Sequence, residues 1–261
     1  MSTAQAIYET DGPLATLTFN RPEARNAMTW EMYEALVEAC ERVDADPQIR
    51  VLIFRGAGGK AFVAGTDIAQ FKDFDRPGDG VGYEKKLNAV LDRLERVTKT
   101  TIAQVQGVAA GGGCAIALCS DLRVATPDAS FGVPIARTLG NCLSADTCNR
   151  MLSLMGPARF KELMFTGRLM SAAEAHAIGL VNRIVDAPDL EPTVRDLALE
   201  IASRAPLTIR AVKEITRRLI AKQRLAPGED HDLVELCYSS ADFREGVTAF
   251  LAKRPPRWTG T

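Results

Sequence analysis

The sequence predicts an α/β fold in which short strands alternate with helices. Up to about residue 188, apolar stretches of strand length are followed by turn residues and then by apolar residues at helical spacing. Glycine-containing turns join several of these strands to the helix that follows. After about residue 189 the strand patterns cease and amphipathic helices dominate. We therefore expect a strand–helix core over residues 1–188 with crossover connections, and a helical C-terminal region over residues 189–261.

The first elements follow this order. Residues 14–20 alternate between apolar and polar side chains, which predicts a strand. Residues 50–56 are apolar enough for a buried strand, and residues 64–71 predict a tight turn into a short helix. Between the two strands, a helix is predicted from about Thr29 to the Asp46-Pro47 pair, because apolar residues recur on one helical face: Met32, Leu36, Ala39 and Val43.

The middle of the chain repeats the pattern. Residues 75–82 are rich in glycine and aspartate, which predicts a flexible loop. Residues 101–107 predict the next strand, and the glycine cluster at 111–113 is expected to open another helix. A helix is predicted from about Gly82 to Val97, since one face carries Leu87, Val90, Leu91, Leu94 and Val97.

The last part of the predicted core is less regular. Residues 121–126 predict a strand, whereas residues 127–144 show no regular pattern. The stretch Ser-Ala-Ala-Glu at 171–174 has the spacing of a capping box, and Gly179 is suited to end the helix that the box begins. Residues 181–186 predict a late strand before the helical region.

Composition argues against several classes of function. The chain of 261 residues carries 32 Lys and Arg against 33 Asp and Glu, a net charge of −1. A balance this close to zero argues against a nucleic acid or an anionic membrane as partner. The longest apolar run, 107–119, is too short for a bilayer, which needs about 20 residues. The first residues also lack the basic and apolar regions of a signal peptide.

Cysteine and histidine usage points to a reducing compartment and to no metal. The six cysteines form no CxxC pair and several lie among apolar residues, so we expect buried thiols in a cytoplasmic protein. The two histidines, His176 and His231, are too few for a histidine metal site or a serine–histidine–aspartate triad. We therefore expect no metal site.

Two glycine-containing turns are the strongest chemical signal. One spans residues 61–67 and the other residues 109–115, and each lies between a predicted strand and a helix. A helix N-terminus has unpaired N–H groups and a positive dipole end, so it can hold a developing anion. Two such N–H groups aimed at one point would form an oxyanion hole. The alternative is that these glycines only permit tight turns and close packing.

Six segments carry motifs that follow one order along nearly the whole chain. They are TFNRPEARNAMT (18–29), RVLIFRGAGGKAFVAGTDI (50–68), AQVQGVAAGGGCAIALCSDLRVAT (103–126), SFGVPIARTLG (130–140), AAEAHAIGLVNRIV (172–185) and SADFREGVTAFLAKR (240–254). Together they closely resemble the crotonase, or enoyl-CoA hydratase/isomerase, family. The resemblance implies a crotonase-like spiral of ββα turns, followed by helices that pack trimers, often paired into hexamers. It also implies an acyl-CoA substrate, with no cofactor beyond the coenzyme A moiety.

The resemblance also assigns site residues. The two N–H groups of the oxyanion hole would come from Thr66 and Gly112. Arg25 would suit a CoA phosphate, because a guanidinium matches phosphate oxygens, although the residue also fits an exposed loop arginine. Together with Arg25, the contacts to the acyl-CoA would come from Ala27, Ala64, Gly65, Asp67, Ile68, Gly111, Pro134, Ile135, Leu139 and Gly140.

The sequence departs from the family's hydratases at both of their acids. Those hydratases carry one Glu two residues after the last glycine of the cluster and another after the proline of an FGxPE segment. Ala115 and Ile135 stand at these positions, and neither can carry a proton. Ser144 and Asp146 are candidate replacements, with a helix cap and a solvated acid as the alternative roles. Hydration by the ordinary two-acid route is therefore not expected.

Two functions remain open from the sequence. The first is an active acyl-CoA enzyme that relies on the oxyanion hole, such as an isomerase, a thioester hydrolase or a carbon–carbon lyase. The second is a non-catalytic acyl-CoA-binding protein that has kept the fold.

In the C-terminal region, Phe243 and Phe250 either close over the acyl group or simply pack. The apolar stripe there belongs either to the core or to a trimer interface: Ile209, Val212, Ile215 and Leu219.

Overall fold

The computed structural model describes residues 4–72, 74 and 76–261, and it confirms the α/β prediction. Its strands form two sheets. The larger sheet contains, in spatial order, Ala6–Asp11 (β1), Leu14–Phe19 (β2), Val51–Gly56 (β3), Thr100–Val105 (β5), Leu122–Ala125 (β7) and Arg183–Ile184 (β10). The smaller sheet contains Ala61–Val63 (β4), Val108–Ala110 (β6), Ser130–Gly132 (β8) and Met170–Ser171 (β9).

Successive turns of the chain contribute one strand to each sheet. β3 is followed by β4, β5 by β6 and β7 by β8, and neighbouring turns pair in parallel, as Val51 does with Thr100. Among the described strands, the antiparallel pairs are β1 with β2 and β8 with β9. Parallel strands need crossover connections, which the helices supply. The result is the spiral of ββα turns that the resemblance implies.

Helices cover the sheets and make up the C-terminal region. They are Trp30–Ala45 (α1), Asp79–Glu95 (α2), Gly112–Cys119 (α3), Ile135–Thr138 (α4), Ala145–Thr166 (α5), Ala172–Ala177 (α6), Ala187–Ala202 (α7), Pro206–Ala221 (α8), His231–Tyr238 (α9) and Ala241–Leu251 (α10). A short 3-10 helix, Ile68–Phe71, follows β4. The main core contains residues of both sheets and of helices α1, α2 and α3.

Local sequence signals place several helix ends correctly. The Thr29 hydroxyl accepts the N–H of Met32 and begins α1, as predicted. Ser171 and Glu174 form the predicted capping box of α6, each side chain bonding the other's backbone N–H. Gly179 follows the last turn of α6 at φ +78°, a left-handed conformation that glycine adopts without strain. The two caps depend on side-chain to backbone bonds that are local in sequence, and the end at Gly179 depends on the backbone freedom of glycine.

Other boundaries differ from the prediction. α2 begins at Asp79 rather than Gly82, and the Asp79 carboxylate accepts the Arg76 N–H in the turn before the helix. Residue 75 of the predicted loop lies outside the described residues. The prediction of an irregular segment over 127–144 is wrong, since it contains β8, paired with β6, and α4. Strands this short are formed by tertiary pairing, which local patterns do not reveal.

Helix α8 lies on the surface of the single chain. None of its residues is buried. Its large apolar side chains are more than half exposed at Leu207, Val212, Ile215 and Leu219. The alternative that this stripe packs in the core is therefore wrong, and the stripe remains available to another surface.

The described residues also bear on membrane and metal binding. None of their helices combines the length and apolarity that crossing a bilayer demands. Their His, Cys, Asp and Glu side chains include no group of three or more arranged around a possible metal ion. All six cysteines are free thiols, of which Cys40, Cys114 and Cys119 are buried.

Candidate active site

The two glycine-containing turns lie side by side. A Cβ placed on Gly111 of the second turn would lie 3.4 Å from Cα of Gly65 in the first, so the two backbones are in contact. The first turn is also bound by the backbone of Met28. The Met28 N–H donates to the Gly65 carbonyl at 2.8 Å, and the Asp67 N–H donates to the Met28 carbonyl at 2.9 Å. This arrangement fixes the position of the residue between them, Thr66.

The second turn requires glycine for steric reasons. Gly111 has φ +51° and ψ −123°, a conformation that residues with a Cβ rarely adopt. A Cβ on Gly113 would clash with the Val63 carbonyl oxygen, and one on Gly112 would clash with the Tyr33 hydroxyl. The glycine cluster therefore lets the start of α3 approach β4 and α1 closely.

Two backbone donors in these turns are unpaired. Among the described residues, neither the Thr66 N–H nor the Gly112 N–H donates a hydrogen bond. Gly112 is the first residue of α3, where helix geometry leaves N–H groups free and the dipole is positive. Thr66 and Gly112 line the same cavity. Two unpaired donors at one cavity wall can hold an anion that forms on a bound molecule.

The cavity has a volume of about 120 Å³ and a largely apolar wall. Ala115 and Ile135 are part of that wall, so the positions of both acids of the hydratases face the cavity without a titratable group. Phe250 of α10 also lines it, whereas Phe243 is buried among other aromatic rings. The C-terminal helix of the same chain therefore contributes to this cavity.

The structure brings most of the predicted site residues together. The following line the cavity: Ala64, Gly65, Thr66, Ile68, Gly111, Gly112, Pro134, Ile135 and Leu139.

Four predicted contacts lie outside the cavity wall. Arg25 is exposed at φ +51°, and Gly140 is next to Trp258 and Asp242. The Asp67 carboxylate accepts the Ala69 N–H and pairs with Arg21 at 3.1 Å. The same Arg21 guanidinium donates to the Ala27 carbonyl at 2.6 Å.

Ser144 and Asp146 have other partners. The Ser144 hydroxyl accepts the Thr147 N–H at 3.3 Å, which caps α5, and donates to Asn88 Oδ1 at 3.0 Å. Asp146 lies 3.5 Å from Arg224. Both residues line a second cavity, of about 410 Å³, and neither lines the first. Ser144 is therefore a helix cap, and Asp146 is an ion-paired acid of the first helical turn. This geometry agrees with the alternative roles that the sequence left open.

A chain of buried hydroxyls lies behind Thr66. The Tyr33 hydroxyl is 2.8 Å from Thr66 Oγ1, and the Tyr83 hydroxyl is 2.9 Å from the same atom. Burial raises the pKa of both tyrosines, so their hydroxyls stay neutral at ordinary pH. The Thr66 hydroxyl is therefore bound by tyrosines of two different helices, α1 and α2.

Glu84 is the one carboxyl among the described residues of the cavity wall. It is 4% exposed. The Tyr238 hydroxyl donates to one carboxylate oxygen at 2.7 Å, and the Ser144 N–H donates to the other at 3.0 Å. Burial raises the pKa of Glu84 to about 7, although both hydrogen bonds act to lower it. A carboxyl with this pKa can both take and release a proton near neutral pH.

The sequence prediction missed Glu84, although its signal is present. Leu87 and Leu91 belong to the predicted apolar face of α2, and counting back three residues from Leu87 leads to Glu84. Glu84 therefore lies on the core-facing side of an amphipathic helix, where an acid is unusual and often functional. Tyr238 has no such signal, because tertiary packing of α9 against α2 brings it to Glu84.

Comparison with known proteins covers nearly the whole chain. A family model described as Enoyl-CoA hydratase/isomerase matches residues 9–261. The short-chain-enoyl-CoA hydratase of Clostridium acetobutylicum is 34% identical over 255 residues, which are 97% of each chain.

Solved structures agree with this match. An enoyl-CoA hydratase/carnithine racemase from Magnetospirillum magneticum superposes with a TM-score of 0.80 at 33% identity, over 100% of this chain and 97% of the other. A methylmalonyl-CoA decarboxylase in complex with 2-nitronate-propionyl-CoA superposes with a TM-score of 0.91 at 28% identity, over 100% of both chains. The sequence match and the shared crotonase fold together show that this chain belongs to the enoyl-CoA hydratase/isomerase family.

Proposed function

We propose that the protein is an enzyme that binds short acyl-CoA thioesters and stabilises a thioester enolate between the N–H groups of Thr66 and Gly112. One observation carries this proposal: the two donors are unpaired and their residues line one cavity. A thioester oxygen gains negative charge when the α-carbon loses a proton. Fixed N–H donors stabilise that charge, and loss of one donor typically raises the barrier by about 3–4 kcal/mol.

The size of the cavity favours a short acyl group. Its volume of about 120 Å³ is somewhat below the roughly 150 Å³ of an engineered protein cavity that holds benzene. An acyl chain of a few carbons fits this space. The CoA moiety, with no further cofactor, would extend outside, where the exposed Arg25 is available to its phosphates.

The cavity wall favours enolate chemistry over two-acid hydration. Addition of water across a double bond by the family's hydratases uses one acid at each of the positions of Ala115 and Ile135. Both residues are buried and apolar here. Shifting a double bond from the 3-position to the 2-position needs only an enolate and one proton-transfer group, so isomerisation is the reaction that we propose.

Decarboxylation of a malonyl-type thioester is the second candidate. The protein superposes on the methylmalonyl-CoA decarboxylase with the higher TM-score, 0.91 against 0.80 for the hydratase/racemase. Loss of CO₂ leaves an enolate directly, so it needs the two N–H donors and no base. An apolar wall also disfavours a bound carboxylate relative to neutral CO₂.

Three thioesters distinguish these reactions. We would incubate the protein with 3-butenoyl-CoA, methylmalonyl-CoA and crotonyl-CoA and identify the products by mass spectrometry and absorbance. Conversion of 3-butenoyl-CoA to crotonyl-CoA supports isomerisation, and loss of CO₂ from methylmalonyl-CoA supports the second candidate. Binding of all three without turnover would indicate the non-catalytic acyl-CoA-binding protein instead. Absence of binding would contradict the proposal as a whole.

We propose further that the protein works as a homotrimer or homohexamer in the cytoplasm. The exposed apolar stripe on α8 borders a groove of about 590 Å³, also lined by Ile201 and Leu154. A surface of this kind is typical of an interface between subunits. Free thiols agree with a reducing compartment. Light scattering at micromolar concentration should give a particle mass of three or six times 28.3 kDa. A particle mass of 28.3 kDa would contradict the assembly.

A further inference from the structure

We propose that Glu84 is the catalytic residue that moves a proton to and from the bound acyl group. This inference rests on the proposed function, because it needs an acyl-CoA with its thioester oxygen at Thr66 and Gly112. It supplies the proton-transfer group that Ala115 and Ile135 do not. It also places that group on α2, a different element from the ones that carry the two acids of the hydratases.

The position of Glu84 is fixed by the elements around it. Tyr238 of α9 and the Ser144 N–H before α5 each bind one oxygen of the carboxylate. Asn141 donates to the Tyr238 hydroxyl at 2.9 Å and so holds the tyrosine in place. Asn141 and Glu84 both line the cavity that contains the oxyanion donors. A carboxylate held from two sides loses little conformational freedom when it acts on a substrate.

Glu84 also lines the second cavity, of about 410 Å³. Asn88, Ser144 and His231 are among the residues on that side. Glu84 therefore lies between the small apolar cavity and a larger one that several polar side chains line. A proton taken from a substrate in the first cavity can be exchanged through the second without opening the first.

The groups around Glu84 keep its proton affinity high. Desolvation is the largest effect, and the negative charge of Asp230 adds to it. The other titratable groups that face or interact with it are Tyr33, Tyr83, Cys142, Cys148 and Tyr238, while Lys85, Asp92, Asp146 and His231 share the second cavity. The pKa of Glu84 rises to about 7, which suits a group that alternates between base and acid.

Glu84 exchanges one proton with the acyl group. The Glu84 carboxylate takes the α-hydrogen as a proton, and the electron pair of the C–H bond forms the carbon–carbon double bond of the enolate. The pair of the carbonyl double bond moves to the oxygen held by Thr66 and Gly112. Glu84 is now neutral and the substrate carries the negative charge. Return of the proton to the α-carbon regenerates the substrate, whereas its delivery to the γ-carbon of a 3-enoyl thioester gives the 2-enoyl isomer.

Hydrogen–deuterium exchange at the α-carbon tests this step directly. We would incubate the whole protein with butyryl-CoA in D₂O and measure deuterium at the α-carbon by NMR. Exchange should follow a single ionisation with a midpoint near pH 7. The Glu84→Gln variant should lose exchange by about 10²–10⁴-fold while the dissociation constant for butyryl-CoA stays within a few fold. Glu84→Asp should retain part of the rate, and the exposed control Glu34→Gln should keep all of it.

The Tyr238→Phe variant separates catalysis from packing. The tyrosine hydroxyl lowers the pKa of Glu84, so its removal should move the midpoint of exchange to higher pH. If Glu84 had only a structural role, removal of the Tyr238 hydroxyl would not shift this midpoint. Equal exchange in the wild type and a folded Glu84→Gln variant would overturn the inference. Binding of butyryl-CoA by the wild type without any exchange would also overturn the inference. Failure of the wild type to bind butyryl-CoA would overturn the proposed function itself.

Discussion

The Tyr33 hydroxyl and Thr66 Oγ1 are joined by a buried hydrogen bond of 2.8 Å. The bond connects α1 to the turn that carries one of the two unpaired N–H donors. Tyr83 approaches the same oxygen at 2.9 Å from α2. Thr66 therefore fulfils two separate tasks: its side chain connects two helices, and its backbone N–H has no partner among the described residues.

Replacing the Thr66 hydroxyl should reduce stability and leave the donor in place. Thr66→Val keeps the shape of the side chain but leaves the Tyr33 and Tyr83 hydroxyls without their shared partner. We expect a loss of about 1–3 kcal/mol in the free energy of unfolding, measured by urea denaturation. Thr66→Ser should lose much less, because it keeps the hydroxyl. Equal stability of the valine variant and the wild type would show that the network contributes nothing.

The raised pKa of Glu84 should make stability depend on pH. The folded protein holds this proton up to about pH 7, whereas the unfolded chain releases it near the ordinary value of 4.5. Stability from this group is therefore complete below about pH 4.5 and is lost as the pH rises through 7. The total change corresponds to about 3 kcal/mol. Glu84→Gln should remove this part of the pH dependence, as denaturation curves between pH 4.5 and 8 would show. The same pH dependence in the variant and the wild type would contradict the raised pKa of Glu84.

Restoring the acids of the hydratases should create hydration activity. The wild type should hydrate crotonyl-CoA slowly, since each general acid–base group typically contributes about 10²–10⁴-fold. The double variant Ala115→Glu with Ile135→Glu should raise the rate, followed as loss of enoyl-thioester absorbance. Ala115→Glu alone is the control for the first position. Fast hydration by the wild type would mean that another group already activates water, with Glu84 of the cavity wall as the first candidate.

Cys237 should be the most reactive thiol. The interaction with Cys142 lowers the pKa of Cys237, whereas burial raises the pKa of Cys40, Cys114 and Cys119 to about 12. Iodoacetamide attacks the thiolate, so it should label Cys237 first at pH 7, as peptide mass spectrometry would show. Cys142→Ala removes the interaction with Cys237 and should slow the labelling. Faster labelling of a buried cysteine would contradict this order.

The elements that local patterns specify were predictable from the sequence. Thr29, Ser171 and Glu174 act through neighbours three residues away, so their caps are visible in the sequence itself. β8 was not predictable in this way, because Ser130–Gly132 is a strand only through its pairing with β6. The same holds for α4, which is a single turn after Pro134.

The site also combines residues that local sequence patterns indicate with residues that only tertiary packing brings together. The two turns were predictable because their glycines follow apolar stretches of strand length, and the family resemblance then assigned the donors to Thr66 and Gly112. Glu84 was recognisable in principle by its place on the apolar face of α2. Its partner Tyr238 comes from a helix 154 residues away in sequence, and only the folded chain brings the two together.

The central claim is that the N–H groups of Thr66 and Gly112 hold the thioester oxygen. Isotope-edited infrared spectroscopy of butyryl-CoA with a ¹³C-labelled carbonyl measures this contact directly. Binding should shift the carbonyl band to lower wavenumber, because two donors polarise the bond. The matched pair Gly112→Pro and Gly112→Ala, both made in Tyr33→Phe to relieve the clash with the hydroxyl, differs in the N–H group. The alanine variant should keep the shift and the proline variant should lose much of it. An unshifted band in the wild type, or equal shifts in the two folded variants, would contradict the account.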